Sequence, residues 1–123
     1  MTRDGSSMAR KKLRQETGFD FIEIASADRL PPGGRLFVEV DGRPIVVFNI
    51  NGGMYAIRDA CTHDDGPLGE GDLEGHELVC PRHGARFDVR TGKATALPAV
   101  VDTPAYPVRL RKGNIEIGFP KRK

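Results

Sequence analysis

The sequence predicts an all-β fold: an antiparallel β-sandwich or barrel that carries a small loop-rich subdomain. Three observations predict it. Short runs of β-branched and aromatic residues are punctuated by turn signals such as Asp41-Gly42. Apolar residues alternate with polar ones near the C-terminus. No stretch sustains helical periodicity, apart from a turn at Ser26–Leu30 that Ser26 is placed to cap.

Taken in order, residues 1–18 read as a disordered basic leader of Ser, Gly, Lys and Arg without apolar periodicity. Phe21, Ile22 and Ile24 make a first short strand. Leu36–Val40 and Ile45–Phe48 flank Asp41-Gly42 as a hairpin, and Asn51-Gly52-Gly53 turns into a strand over Met54–Asp59. Between Cys61 and Thr91 the character changes to Gly and Pro with two short apolar pieces, Glu77–Val79 and Arg86–Val89. Val108, Leu110, Ile115, Ile117 and Phe119 then alternate about Lys112-Gly113-Asn114 as a half-buried hairpin. This predicts one domain over 19–119, with the loop-rich subdomain at about 60–93 and a basic tail at 120–123.

Charge and composition exclude several classes. The chain of 123 residues is 38% hydrophobic and 29% charged, ordinary for a globular protein and too short for two cores. No apolar run reaches bilayer length and no secretory signal opens the sequence, so a cytoplasmic protein without a membrane partner is expected. The formal charge of +2 hides an asymmetry, because residues 1–18 carry five basic and two acidic side chains and 121–123 add three more bases. That leaves 19–119 at about −4, so the basic residues sit in the tails, which argues against a nucleic-acid reader.

Chemistry concentrates at two short motifs. Cys61-Thr62-His63 supplies a C-x-H pair, and Cys80-Pro81-Arg82-His83 supplies a C-x-x-H pair after sixteen intervening residues. A disulfide between Cys61 and Cys80 is the bland alternative, disfavoured where the compartment keeps thiols reduced. Two thiolates and two imidazoles make a four-ligand set for a soft or borderline metal. Either a structural Zn²⁺ or a [2Fe–2S] cluster with two Cys on one iron and two His on the other accepts them. Each loop offers one Cys and one His, and geometry alone does not choose between the two.

The two motifs, each followed closely by Gly, resemble the Rieske iron–sulfur family. The likeness runs on through Gly84-Ala85-Arg86-Phe87-Asp88 to Thr91-Gly92-Lys93, and there it is similar to the ferredoxin components of bacterial aromatic-ring oxygenase systems. The resemblance covers about 19–119 and implies a Rieske-like fold with one [2Fe–2S] cluster on Cys61, His63, Cys80 and His83. It implies no catalysis by this chain. The expected role is a one-electron carrier from an NAD(P)H-dependent flavin reductase to a terminal oxygenase, working as a monomer. No dinucleotide fingerprint occurs, so the reductase is a separate protein. Rival readings are a small Rieske subunit fixed within a nitrite-reductase-like oxidoreductase, a zinc-stabilised interaction module, and a redox sensor.

Departures from the family are informative. Rieske proteins of quinol-oxidising complexes carry a further disulfide at positions matching Gly66 and Arg82, where none can form here. Those proteins also place Ser and Tyr hydroxyls near the cluster, at positions matching Ala85 and Phe87. Lacking such donors, the centre is expected toward the low end of the Rieske span, about −150 mV. Imidazoles in place of two thiolates still hold it above plant-type ferredoxins at about −400 mV and couple its potential to pH. Buried Cys and outward His make His63 and His83 the expected electron portal.

Other residues carry weaker expectations. His76 reads as a solvated loop residue. The acidic run Asp64, Asp65, Glu70, Asp72 and Glu74 reads as solvated surface, with steering of a basic partner as the sharper alternative. Arg82 and Arg86 are candidates for holding the ligand loops, and Leu97-Pro98-Ala99 resembles the family's loop over the cluster.

Overall fold

The computed structural model describes residues 18–60, 68–81, 84–97 and 101–121. Eleven strands are found among them: β1 (Phe19–Ser26), β2 (Arg35–Val40), β3 (Arg43–Ile50), β4 (Gly53–Arg58), β5 (Leu73–Glu74), β6 (Glu77–Val79), β7 (Arg86–Asp88), β8 (Ala94–Ala96), β9 (Ala105–Tyr106), β10 (Val108–Arg111) and β11 (Asn114–Pro120). They form three antiparallel sheets, ordered β9-β4-β3-β2, β10-β11-β1 and β5-β6-β7-β8. The expected all-β antiparallel architecture is therefore present.

Three two-residue turns set the framework registers. Asp41-Gly42, Asn51-Gly52 and Lys112-Gly113 all have positive φ at both central residues. That is what a type I′ hairpin requires, and its twist matches that of the flanking strands. The pairs Val40↔Arg43, Ile50↔Gly53 and Arg111↔Asn114 close directly on these turns.

Strand β3 explains the layering. Its residues Ile45, Val46, Val47 and Phe48 are all buried, although successive side chains of a strand point to opposite faces. Ile45 and Val47 join Ala56, Tyr106, Ile115, Ile117 and Phe119 in a core against the β10-β11-β1 sheet. Val46 and Phe48 join Ile57, Leu68, Leu78, Ala85, Phe87 and Val89 in a second core against the β5–β8 sheet. The β2–β3–β4–β9 sheet thus lies between two layers, and its unbroken apolar run is the sign of burial on both faces. At Pro107 the chain passes from β9 in the central sheet to β10 in the outer one, and the Gly118 N–H donates to the Pro107 carbonyl (2.8 Å).

Several local expectations need correction. The first strand spans eight residues rather than four, because β1 pairs along its length with β11. Ser26 stands at the N-cap of a 3₁₀ turn (Ala27–Arg29) but makes no cap bond. Its hydroxyl donates instead to the Asp28 carboxylate (2.7 Å), a charged acceptor within reach. Leu110 is 56% exposed while Ile115 and Ile117 opposite are buried, so the last hairpin is buried on β11 and open on β10. Gly18 and Lys121, at the edges of the expected leader and tail, are tied together by a Lys121 N–H to Gly18 carbonyl bond.

Candidate metal centre

Of the four expected ligands, Cys80 is described, while Cys61, His63 and His83 lie outside the described residues. What the structure does show is how the segments bearing them are anchored. Among the described residues no three metal-ligating side chains converge.

Cys80 directly follows β6. Its N–H donates to the Ala85 carbonyl (2.6 Å), and the Gly84 N–H donates back to the Cys80 carbonyl (3.0 Å). These two bonds hold Cys80 against Gly84 and Ala85, directly before β7 begins. The Cys80 side chain is 2% exposed, forms no disulfide, and belongs to the core with Leu68, Leu78, Ala85, Phe87 and Val89. A sulfur placed among apolar groups is either an inert filler or a ligand whose charge a metal balances. Its position directly after a strand, not mid-strand, fits the ligand role.

The first ligand segment is bracketed with equal care. Asp59 follows β4, and its Oδ1 accepts the N–H groups of Leu68 (2.8 Å) and Gly69 (2.5 Å), on the other side of the first ligand segment in sequence. Leu68 itself is fully buried in the core that holds Cys80. The Arg35 Nη1 donates to the carbonyls of Gly69 (2.5 Å) and Gly71 (2.8 Å), locking the turn that follows. A Cβ at Gly71 would collide with the Val79 carbonyl oxygen, so this backbone passes directly over the residue preceding Cys80. Thr103, buried, ties a later part of the chain to the same region: its N–H donates to the Gly92 carbonyl (2.8 Å) and its hydroxyl to the Ala60 carbonyl (3.5 Å).

Two arginines at the β5–β8 sheet are ion-paired. Arg86 bridges Glu74 (2.9 Å) and Glu77 (3.2 Å), tying β5 and β6 to the strand that leaves the Cys80 loop; these hydrogen bonds, Glu74 first, raise its pKa further. The Arg90 side chain on Asp88 (2.9 Å) holds that carboxyl below the usual carboxylate range. His76, expected as a solvated loop residue, is instead half-buried with its ring edge-on to Tyr55 (5.5 Å), and its carbonyl accepts the Val89 N–H. Glu70 and Asp72 of the acidic run are exposed, as expected; Asp64 and Asp65 lie outside the described residues, as do Arg82, Pro98 and Ala99. Leu97 is 75% exposed.

Sequence reasoning missed Asp59, Arg35 and Thr103. Asp59 had a faint signal in its place two residues before Cys61. Arg35 had none, because its partners lie 34 and 36 residues away.

Residues 20–107 match the Rieske [2Fe–2S] domain. The chain belongs to the Rieske family. Over 91 residues it is 40% identical to the ferredoxin component of the naphthalene 1,2-dioxygenase/salicylate 5-hydroxylase systems of a Ralstonia species, spanning 74% of this chain and 88% of that one. The ferredoxin of carbazole 1,9a-dioxygenase from Nocardioides aromaticivorans superposes with a TM-score of 0.75 at 37% identity, covering 82% of this chain and 98% of that one. A chain in the complex of reduced oxygenase and oxidised ferredoxin of carbazole 1,9a-dioxygenase gives 0.75 at 30% identity, covering 84% and 96%. The cofactor of this Rieske protein is a [2Fe–2S] cluster, and its class is electron carrier rather than enzyme. A buried thiol directly after β6 fits that group.

Proposed function

We propose that this Rieske protein carries single electrons from an NAD(P)H-dependent flavin reductase to a terminal oxygenase of the aromatic-ring type. In this reading Cys61, His63, Cys80 and His83 hold the cluster. The domain spans 19–119 with its cluster-binding subdomain at about 60–93, between the leader 1–18 and the tail 120–123, and the protein works as a cytoplasmic monomer. The observation that carries the reading is the likeness to ferredoxin components of such systems, over 74% of this chain and 88% of the length of one relative. The short β5–β8 sheet, packed through Leu78, Phe87 and Val89 onto the central sheet, supports a distinct subdomain there. Among the described residues no helix is long and apolar enough to cross a membrane.

The cluster, when bound, supplies a centre that takes up and gives back one electron. The chain's own residues set its surroundings. Ala85 and Phe87 are fully buried in the core with Cys80 and carry no side-chain donor, so they offer no side-chain hydrogen bond to favour the reduced state. A potential near the low end of the Rieske span, about −150 mV, follows, within reach of NAD(P)H-derived electrons.

Two steps test this. An anaerobic redox titration followed by absorbance should show one electron per chain. The protein should then be required for product formation when a flavin reductase, NADH and an aromatic-ring terminal oxygenase are combined, and Cys80→Ala should not replace it. Full product formation without the carrier, or with Cys80→Ala, would contradict the proposal.

A further inference from the structure

We infer that Asp59 and Arg35 are positioning residues for the metal centre, together setting the spacing between the loop that carries Cys61 and His63 and the loop that begins at Cys80. The inference rests on the ligand assignment proposed above.

One carboxylate oxygen closes the first loop. Asp59 stands at its entrance, and its Oδ1 takes two successive N–H groups, Leu68 and Gly69, at its exit. The Asp59 N–H in turn donates to the Pro44 carbonyl (2.9 Å), so the clamp is itself fixed to the central sheet. A side chain at Gly69 would meet the Phe37 ring (2.7 Å) and Val46 (3.1 Å), which leaves this turn pressed against that sheet.

Arg35 then joins the two loops. Its guanidinium lies over the Phe48 ring (5.1 Å), and one nitrogen donates to both Gly69 and Gly71 carbonyls. Gly71 packs under the Val79 carbonyl, and the Val79 N–H donates to the Asp72 carbonyl (2.9 Å). Val79 is the residue before Cys80. From Asp59 to Cys80 the path therefore runs through two charged side chains whose hydrogen-bond partners are backbone groups of one turn.

Such a path has a use beyond stability. Four ligands drawn from two loops hold a two-iron centre only if the loops keep a fixed separation, and errors of about 1 Å at such sites are felt. The backbone groups held by Asp59 and Arg35 join the turn that follows the first ligand segment to Val79, the residue before Cys80. An acceptor oxygen is what Asp59 supplies, so Asn, which keeps one, should substitute where Leu cannot.

The test uses the full chain with its cluster and compares Asp59→Asn, Asp59→Leu, Arg35→Lys and Arg35→Met. Three quantities are read: the EPR g values after dithionite, the rate of cluster loss to an iron chelator, and hydrogen exchange of the 68–72 peptide by mass spectrometry. In Asp59→Leu and Arg35→Met, cluster loss should be about tenfold faster, with broadened g values and faster exchange at 68–72. Asp59→Asn should stay within about threefold of the wild type. Wild-type g values and release in Asp59→Leu would overturn the inference, as would equal effects of Asn and Leu, which would point to charge rather than position. If Asp59→Leu does not fold, Arg35→Met decides alone: wild-type behaviour overturns the inference, and a broadened signal with Arg35→Lys closer to normal supports it. Failure of the ligand assignment looks different, because the wild type itself would then bind no iron.

Discussion

The two faces of β3 look onto two kinds of structure. On one side lie long strands, eight residues in β1 and seven in β11, joined by repeating contacts. On the other lie strands of two or three residues, β5 to β8, whose ladders are only two or three pairs long. Ladder pairing and an alternating apolar face make the first side tolerant, since each residue contributes a share of a common core. The second side depends on a few non-repeating devices: a glycine under a carbonyl, a carboxylate across a loop, an arginine on two carbonyls. Cys80, a ligand in the proposed reading, sits on that second side. Holding a cofactor asks for loops of defined shape, which ladders do not supply.

Gly71→Ala should break this contrast most strongly. Its Cβ meets the backbone carbonyl of Val79, which no rotamer change can clear. We expect a loss of about 3 kcal/mol in denaturant unfolding, the upper end for overpacking, with most of the cluster lost on purification. Unchanged stability would mean that the two loops are less closely joined than described.

A neighbouring pair on one strand sharpens the comparison. Val46→Ala and Val47→Ala remove the same two methyl groups from opposite faces of β3, at about 1.5–2 kcal/mol each. Only Val46→Ala, on the Cys80 side, should also speed cluster release and alter the EPR signal. Equal effects of the two on the signal would show that the layers are not independent.

The smallest effect concerns Asp88. Its carboxyl is held low by Arg90, so its contribution to stability is present above the unfolded carboxylate pKa of about 3.9 and is lost as pH falls through the lower folded value. Asp88 is 18% exposed but its Arg90 partner is 52% exposed, so solvent screens the pair and the contribution is below about 1 kcal/mol. Asp88→Asn should therefore lower stability slightly at pH 7 and flatten its decline below pH 4. A steeper acid decline in the variant would reverse the assignment.

The same contrast governs how much could be read without the structure. The hairpins at Asp41-Gly42 and Lys112-Gly113 were readable because turn chemistry and alternation are local properties of the chain. So was the family, since Cys80 through Asp88 form a dense local motif. Strands β5, β8 and β9 were not, being two or three residues long and defined by their neighbours rather than by their own pattern. Ile45–Phe48 was read as a strand, yet its missing alternation was the sign of a second core. Arg35 and Thr103 act across 34 to 43 residues, and no short window contains both ends of such a contact. His76 looked like a solvated residue because its partner Tyr55 is likewise distant in sequence.

The central claim is that Cys61, His63, Cys80 and His83 hold one Rieske cluster. The direct test is low-temperature EPR of the anaerobically purified protein before and after dithionite, with iron and sulfide measured on the same sample. The account predicts about two irons and two sulfides per chain, silence when oxidised, and on reduction a signal of low average g from mixed His and Cys ligation. A single zinc per chain with no signal in either state, persisting after anaerobic reconstitution with iron and sulfide, would contradict it.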